Sequence, residues 1–158
     1  MIITEVLGNR RDLSDAELGE FVEERVVLDN LELLKRIQRV ETDTGRELGL
    51  RLPSSVKELH DGDILYKDGN VLITVEAAPS DVLVFRPKTV FEMGLHAHAL
   101  GNRHLQAQFF DEDSEYGQAV MVVQHDHTVQ EYLDAVGADY AREDRVMPVA
   151  FRHAEHTH

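Results

Sequence analysis

One local pattern occurs twice in the second half of this chain, and it constrains the fold more than any other feature. A short apolar run ends, and a threonine follows with a glutamate three residues on. Thr89-Val90-Phe91-Glu92 comes after the run at 81–86, and Thr128-Val129-Gln130-Glu131 comes after the run at 119–123. Each quartet reads as a capping box, in which the threonine hydroxyl accepts from the third backbone N–H and the glutamate turns back to the threonine amide. The first helix so begun carries Val90, Met93, Gly94, Ala97 and Leu100 along one stripe, with Gly101 where a C-terminal cap belongs. The second carries Val129, Tyr132, Leu133 and Val136 at i, i+3, i+4 and i+7 and closes at Gly137. Between them, residues 105–109 alternate as a half-buried strand. An acidic turn at 111–115 then leads to the continuous apolar strand at 119–123. A last extended segment lies between Tyr140 and Phe151. The order is β-α-β-β-α-β, a split βαβ arrangement.

The first half reads differently. Ile2-Ile3-Thr4-Glu5-Val6-Leu7 is an opening strand that stops at Gly8-Asn9. Residues 36–40, the turn Asp43-Thr44-Gly45 and residues 48–52 form a hairpin with Leu48, Leu50 and Leu52 on one face, ended by Pro53. Asp61-Gly62-Asp63 and Asp68-Gly69-Asn70 are turns that bracket Ile64-Leu65-Tyr66, and residues 71–75 are a further strand. Residues 31–37 fit a helical spacing as well as an extended one. Ala77-Ala78-Pro79-Ser80 is the joint. The expected fold is therefore α+β. An N-terminal all-β domain (1–76) precedes a ferredoxin-like βαββαβ domain (77–146), and residues 147–158 form a flexible tail.

Composition narrows the function. Lys and Arg number 16 against 30 Asp and Glu, a formal charge of −14 with histidine neutral. Such a surface repels phosphate backbones and anionic lipid, so nucleic-acid and membrane partners are disfavoured and a cation or a basic partner is favoured. Cysteine is absent, which excludes disulfides, thiolate catalysis and cysteine-ligated metal sites. No leader-like or membrane-spanning apolar run is present, and a cytoplasmic location is the expectation.

Histidine is the unusual residue. There are nine, and only His60 lies in the first 95 residues. Imidazole without thiolate points to a borderline ion such as nickel, copper, zinc or cobalt. In His125-Asp126-His127 the two rings meet one ion if the chain is still extended there. A solvated pair at a helix entrance is the alternative. His96 and His98, by contrast, diverge by about 200° on a helix and cannot chelate together. His98 is expected beside the packed stripe and His96 in solvent. His104 closes Gly101-Asn102-Arg103-His104 between a helix and a strand, a preorganised place for a ligand that needs a partner imidazole from elsewhere. His153, His156 and His158 sit in the tail and can capture a metal at an entropic cost. There is no G-x-x-x-x-G-K-S/T loop, no G-x-G-x-x-G, no H-E-x-x-H and no G-x-S-x-G.

Several segments taken together resemble the UreE family, urease accessory proteins that carry nickel. They are Arg39-Val40-Glu41-Thr42-Asp43-Thr44-Gly45-Arg46-Glu47-Leu48-Gly49-Leu50-Arg51-Leu52-Pro53, Asp61-Gly62-Asp63-Ile64-Leu65, Ala99-Leu100-Gly101-Asn102-Arg103-His104, and Asp126-His127-Thr128-Val129 with Tyr132-Leu133. The resemblance implies a peptide-binding-type β domain, a ferredoxin-like domain, and a homodimer that brings the His104 of each chain together. It also implies further metal at His125 and His127, a metal-binding tail at His153, His156 and His158, and delivery of Ni²⁺ to apo-urease through an accessory GTPase. Two departures stand out. Ala99 occupies a position where some members have histidine, and residues 145–151 differ from the segment common there.

The expectation is a nickel metallochaperone and not an enzyme, with Zn²⁺, Cu²⁺ or Co²⁺ able to substitute. The rival is a small metal-dependent hydrolase that uses His125, His127 and an acidic partner around an activated water. A peptide-binding or assembly module with incidental histidines is the third.

Overall fold

The computed structural model describes residues 1–152, so the expected ligands His153, His156 and His158 lie outside the described residues. The chain divides into two compact units. One is Met1–Pro79 together with Val146–Ala150; the other runs over Ser80–Arg145 and includes Phe151.

The first unit contains two three-stranded sheets. Its strands are β1 (Ile2–Ile3), β2 (Val22–Leu28), β3 (Ile37–Glu41), β4 (Glu47–Arg51), β5 (Ile64–Asp68) and β6 (Val71–Ala77). The sheet orders are β1-β4-β3 and β2-β6-β5, with β1 parallel to β4 and β2 parallel to β6. Leu48, Leu50 and Leu52 are buried on one face, as the alternation requires, and join Val26, Leu28, Ile73 and Val75 in one core. Two single-turn helices interrupt the β pattern, α1 (Asp15–Leu18) and α2 (Asn30–Leu33). Each opens with a complete capping box, Ser14 with Glu17 and Asp29 with Glu32.

Strand β2 escapes a hydrophobic-periodicity reading because one of its inward positions is charged. Glu24, Val26 and Leu28 are all buried. Glu24 accepts hydrogen bonds from Thr42 Oγ1 (2.9 Å), from Thr44 Oγ1 and from Arg46 Nε, and its Oε2 lies 2.9 Å from Arg46 Nη2. These donors, Arg46 first, hold the Glu24 carboxyl at about 2 against an ordinary 4.5. The backbone N–H of Arg25 also donates to Asp43 Oδ1 at 3.0 Å. The Thr42–Arg46 turn, with Gly45 at φ +88°, is thus docked on β2 by its own side chains.

The second unit has the β-α-β-β-α-β order: β7 (Ser80–Phe85), α3 (Val90–Gly101), β8 (Ala107–Phe110), β9 (Val120–Gln124), α4 (His127–Ala135) and β10 (Tyr140–Arg145). The sheet order is β10-β7-β9-β8 with every pair antiparallel, which is the ferredoxin-like topology. Leu83, Phe85, Met121 and Val123 pack against Leu100 of α3 and Val129 and Leu133 of α4. Val82, Val84, Val120 and Val122, on the opposite face, are buried as well.

Several details depart from expectation, the first being that Glu92 accepts from the Lys88 N–H and not from that of Thr89, which leaves the first capping box incomplete. Asp126, not Thr128, caps α4; its carboxylate accepts from the N–H groups of Thr128 and Val129, so the helix starts at His127. A carboxylate two residues earlier out-competes the hydroxyl because it accepts more strongly and carries charge at the positive helix end. Gly101 is the last residue of α3 rather than its cap, and Asn102 follows as C-cap. The buried stripe of α3 is Met93, His96, Ala97 and Leu100, with Val90 91% exposed, so His96 is buried and His98 exposed, the reverse of expectation. Finally, a tail beginning at residue 147 is not what is found. Met147, Ala150 and Phe151 are buried, and the Ala150 N–H donates to Glu58 Oε2 at 2.8 Å.

Candidate metal centre

His104 stands just past the end of α3. The chain tightens there: Asn102 N–H donates to His98 O, Arg103 N–H to Leu100 O and His104 N–H to Gly101 O, at 3.0–3.1 Å. At the end of this turn His104 has φ +58°, the one non-glycine residue among those described with positive φ. An L residue in that region is uncommon, and histidine is among the few that visit it. The imidazole so placed is exposed at the surface on a hydrogen-bonded turn.

His104 lines a depression of about 230 Å³ with Leu105, Gln106, Gln124, His125 and Asp126. His125 shares that depression, but its ring nitrogens are engaged elsewhere. Nε2 is hydrogen-bonded to Gln130 Oε1 at 2.9 Å, and Nδ1 lies 3.8 Å from Asp81 Oδ2. Asp81 is gripped by Arg142 through two bonds of 3.0 and 2.7 Å, and the guanidinium holds its carboxyl below the usual range. The carboxyl of Asp126 is likewise held low, by the Thr128 hydroxyl and then by the helix N–H groups. Asp126 is thus a committed cap as well as a wall of the depression.

Strand β9 ends at Gln124, Asp126 between the two histidines keeps an extended backbone at φ −144° and ψ 133°, and His127 is the first residue of α4. His127 Nε2 instead lies 2.9 Å from Glu131 Oε1, one helical turn on, both side chains being well exposed. Among the described residues no three His, Cys, Asp or Glu side chains form a group able to hold a metal ion. The hydrolase alternative needs His125, His127 and a carboxylate around one ion, and the described residues do not assemble that set.

A contributor the sequence reading missed is His96. Its Nδ1 is hydrogen-bonded to Tyr132 Oη at 2.7 Å, and its ring stands edge-on to Phe85 and to Tyr132. The signal was present: Met93, His96, Ala97 and Leu100 follow i, i+3, i+4, i+7 more closely than the stripe begun at Val90.

Comparison with known proteins agrees with this architecture. The family model described as the UreE urease accessory protein N-terminal domain matches residues 3–78. The urease accessory protein UreE of Corynebacterium urealyticum is 67% identical over 158 residues, covering the whole of both chains. Those of Paenarthrobacter aurescens and Actinomyces naeslundii are 57% and 48% identical, again over the whole of both chains. With identity of this level across both units, the chain belongs to the UreE family of urease accessory proteins, a family of accessory proteins and not of enzymes.

Proposed function

We propose that the protein acts in urease maturation as a nickel metallochaperone, taking up Ni²⁺ and handing it to apo-urease through an accessory GTPase in the cytoplasm. The observation that carries this reading is His104, an exposed imidazole on a hydrogen-bonded turn in a unit whose described residues assemble no three-ligand group of their own. A second copy supplies the missing partner as its own His104, so the core site lies at a homodimer axis. His153, His156 and His158 complete the coordination on loading and release it on transfer. An open, incompletely ligated site suits an ion that must be given away, unlike a closed structural zinc site. A formal charge of −14 concentrates cations around the molecule. Family membership and the absence, among described residues, of a helix long and apolar enough to cross a membrane are consistent with this role.

Calorimetric titration of Ni²⁺ tests it, with His104→Ala in parallel. The expected result is a tight event near one ion per two chains that disappears in the variant. Because only neutral imidazole ligates a metal, acid weakens that event. Zn²⁺, Cu²⁺ and Co²⁺ should compete for the same site. Wild-type binding by His104→Ala would overturn the assignment.

A further inference from the structure

The turn that presents His104 is held from outside its own helix. Arg103, its immediate neighbour, lays its guanidinium over the ring of Tyr132, with Cζ 5.2 Å from the ring centroid. Tyr132 belongs to α4 and is itself fixed. Its phenolic oxygen is bonded to the buried His96, the two rings meet edge-to-face at 5.7 Å, and His96 is backed by Phe85 of β7 at 5.5 Å. Tyr132 therefore grips the α3 segment at two points about two helical turns apart, His96 inside the helix and Arg103 beyond its end. The second grip falls where the helix no longer supplies i to i−4 bonds of its own. It also falls next to a residue in a left-handed conformation, which an L side chain adopts only when its surroundings impose it.

We propose that Tyr132 is a positioning residue for metal capture. It touches no metal. Through Arg103 it pins the turn at residues 101–104 so that the His104 imidazole is offered in one direction. This rests on the reading of His104 as a ligand and adds to it the element that orients that ligand.

The dissection uses the full chain and five proteins: wild type, Tyr132→Phe, Tyr132→Leu, Arg103→Gln and His104→Ala. Ni²⁺ affinity is read by calorimetry, and the line shape of bound Cu²⁺ by electron paramagnetic resonance. Tyr132→Phe keeps the ring under Arg103 and loses only the bond to His96, so its melting temperature falls while affinity and line shape stay wild-type. Tyr132→Leu and Arg103→Gln both weaken Ni²⁺ binding about two- to fivefold and broaden the Cu²⁺ lines as the imidazole samples more orientations. Arg103→Gln is the sharper arm, since the residue is at the surface. Removing a positive charge beside a cation site would by itself strengthen binding, so a loss reports position and not charge. Wild-type affinity together with a wild-type line shape in Arg103→Gln would overturn the positioning role. If His104→Ala binds like wild type, the ligand assignment fails first, and that outcome is distinct from a failure of the brace.

Discussion

Arg46 Nη2 lies 2.9 Å from Glu24 Oε2, and the carboxylate it meets is only 5% exposed. This pair, with the hydroxyls of Thr42 and Thr44, explains why a polar turn of the Thr-Asp-Thr-Gly-Arg type belongs with a β2 strand whose centre is charged: each satisfies what the other buries.

The pair makes the first unit sensitive to acid. The Glu24 carboxyl is depressed to about 2 in the folded state from 4.5, so the stability it lends is complete above pH 4.5 and is lost as pH falls toward 2. Glu24→Gln should cost about 1–3 kcal/mol at neutral pH, and the gap from wild type should close on acidification. Urea titrations of both proteins at pH 7 and pH 3 would check this; an equal gap at both would show that the charge is not what matters.

At residue 104 two ways of removing the imidazole should differ in stability. His104→Ala leaves an L residue at φ +58°, whereas His104→Gly relieves it. The glycine variant should be the more stable by about 1 kcal/mol although neither binds nickel tightly. Chemical denaturation ranks them, and an alanine variant as stable as the glycine one would mean that the turn relaxes.

The start of α4 distinguishes two possible caps. Asp126→Ala should destabilise the second unit by about 1 kcal/mol, because two helix N–H groups lose their acceptor. Thr128→Ala should cost less, its hydroxyl donating to Asp126 rather than capping. The reverse order in thermal melts would restore Thr128 as the cap.

His125 and His127 face different partners, so their contributions to metal binding should be small and independent. The effects of His125→Ala and His127→Ala on Ni²⁺ affinity should add within about 0.5 kcal/mol in the double variant. A double variant no worse than either single one would be the mark of a chelating pair.

Much of this architecture is legible in the chain. The period-2 leucines at 48, 50 and 52 and the apolar runs of β7 and β9 place those strands correctly, because burial on one face or on both is written directly into side-chain polarity. What escapes is polarity used inside. Glu24 hides β2 and His96 hides the true stripe of α3, since each is buried only by virtue of partners distant in sequence, Thr42 and Arg46 for one, Tyr132 for the other. The site divides in the same way. His104 is identifiable from its position between two ordered elements, but its left-handed backbone is invisible in a sequence that puts the glycine at 101. His125 and His127 are taken up by Gln130 and Glu131 respectively, partners on α4 that the spacing of the two histidines does not reveal.

The return of residues 146–150 to the first unit has a consequence for how the protein is made. Ala150 sits in the same core as Leu48 and Ile73, and its N–H occupies the carboxylate of Glu58, yet it is synthesised after every strand of the second unit. As the chain leaves the ribosome, the second unit has all its strands before the first has all its core. The portion of the protein that is born first therefore waits for the last-made residues, and a nascent chain stalled anywhere in the second unit carries a first unit that still lacks Ala150 in its core.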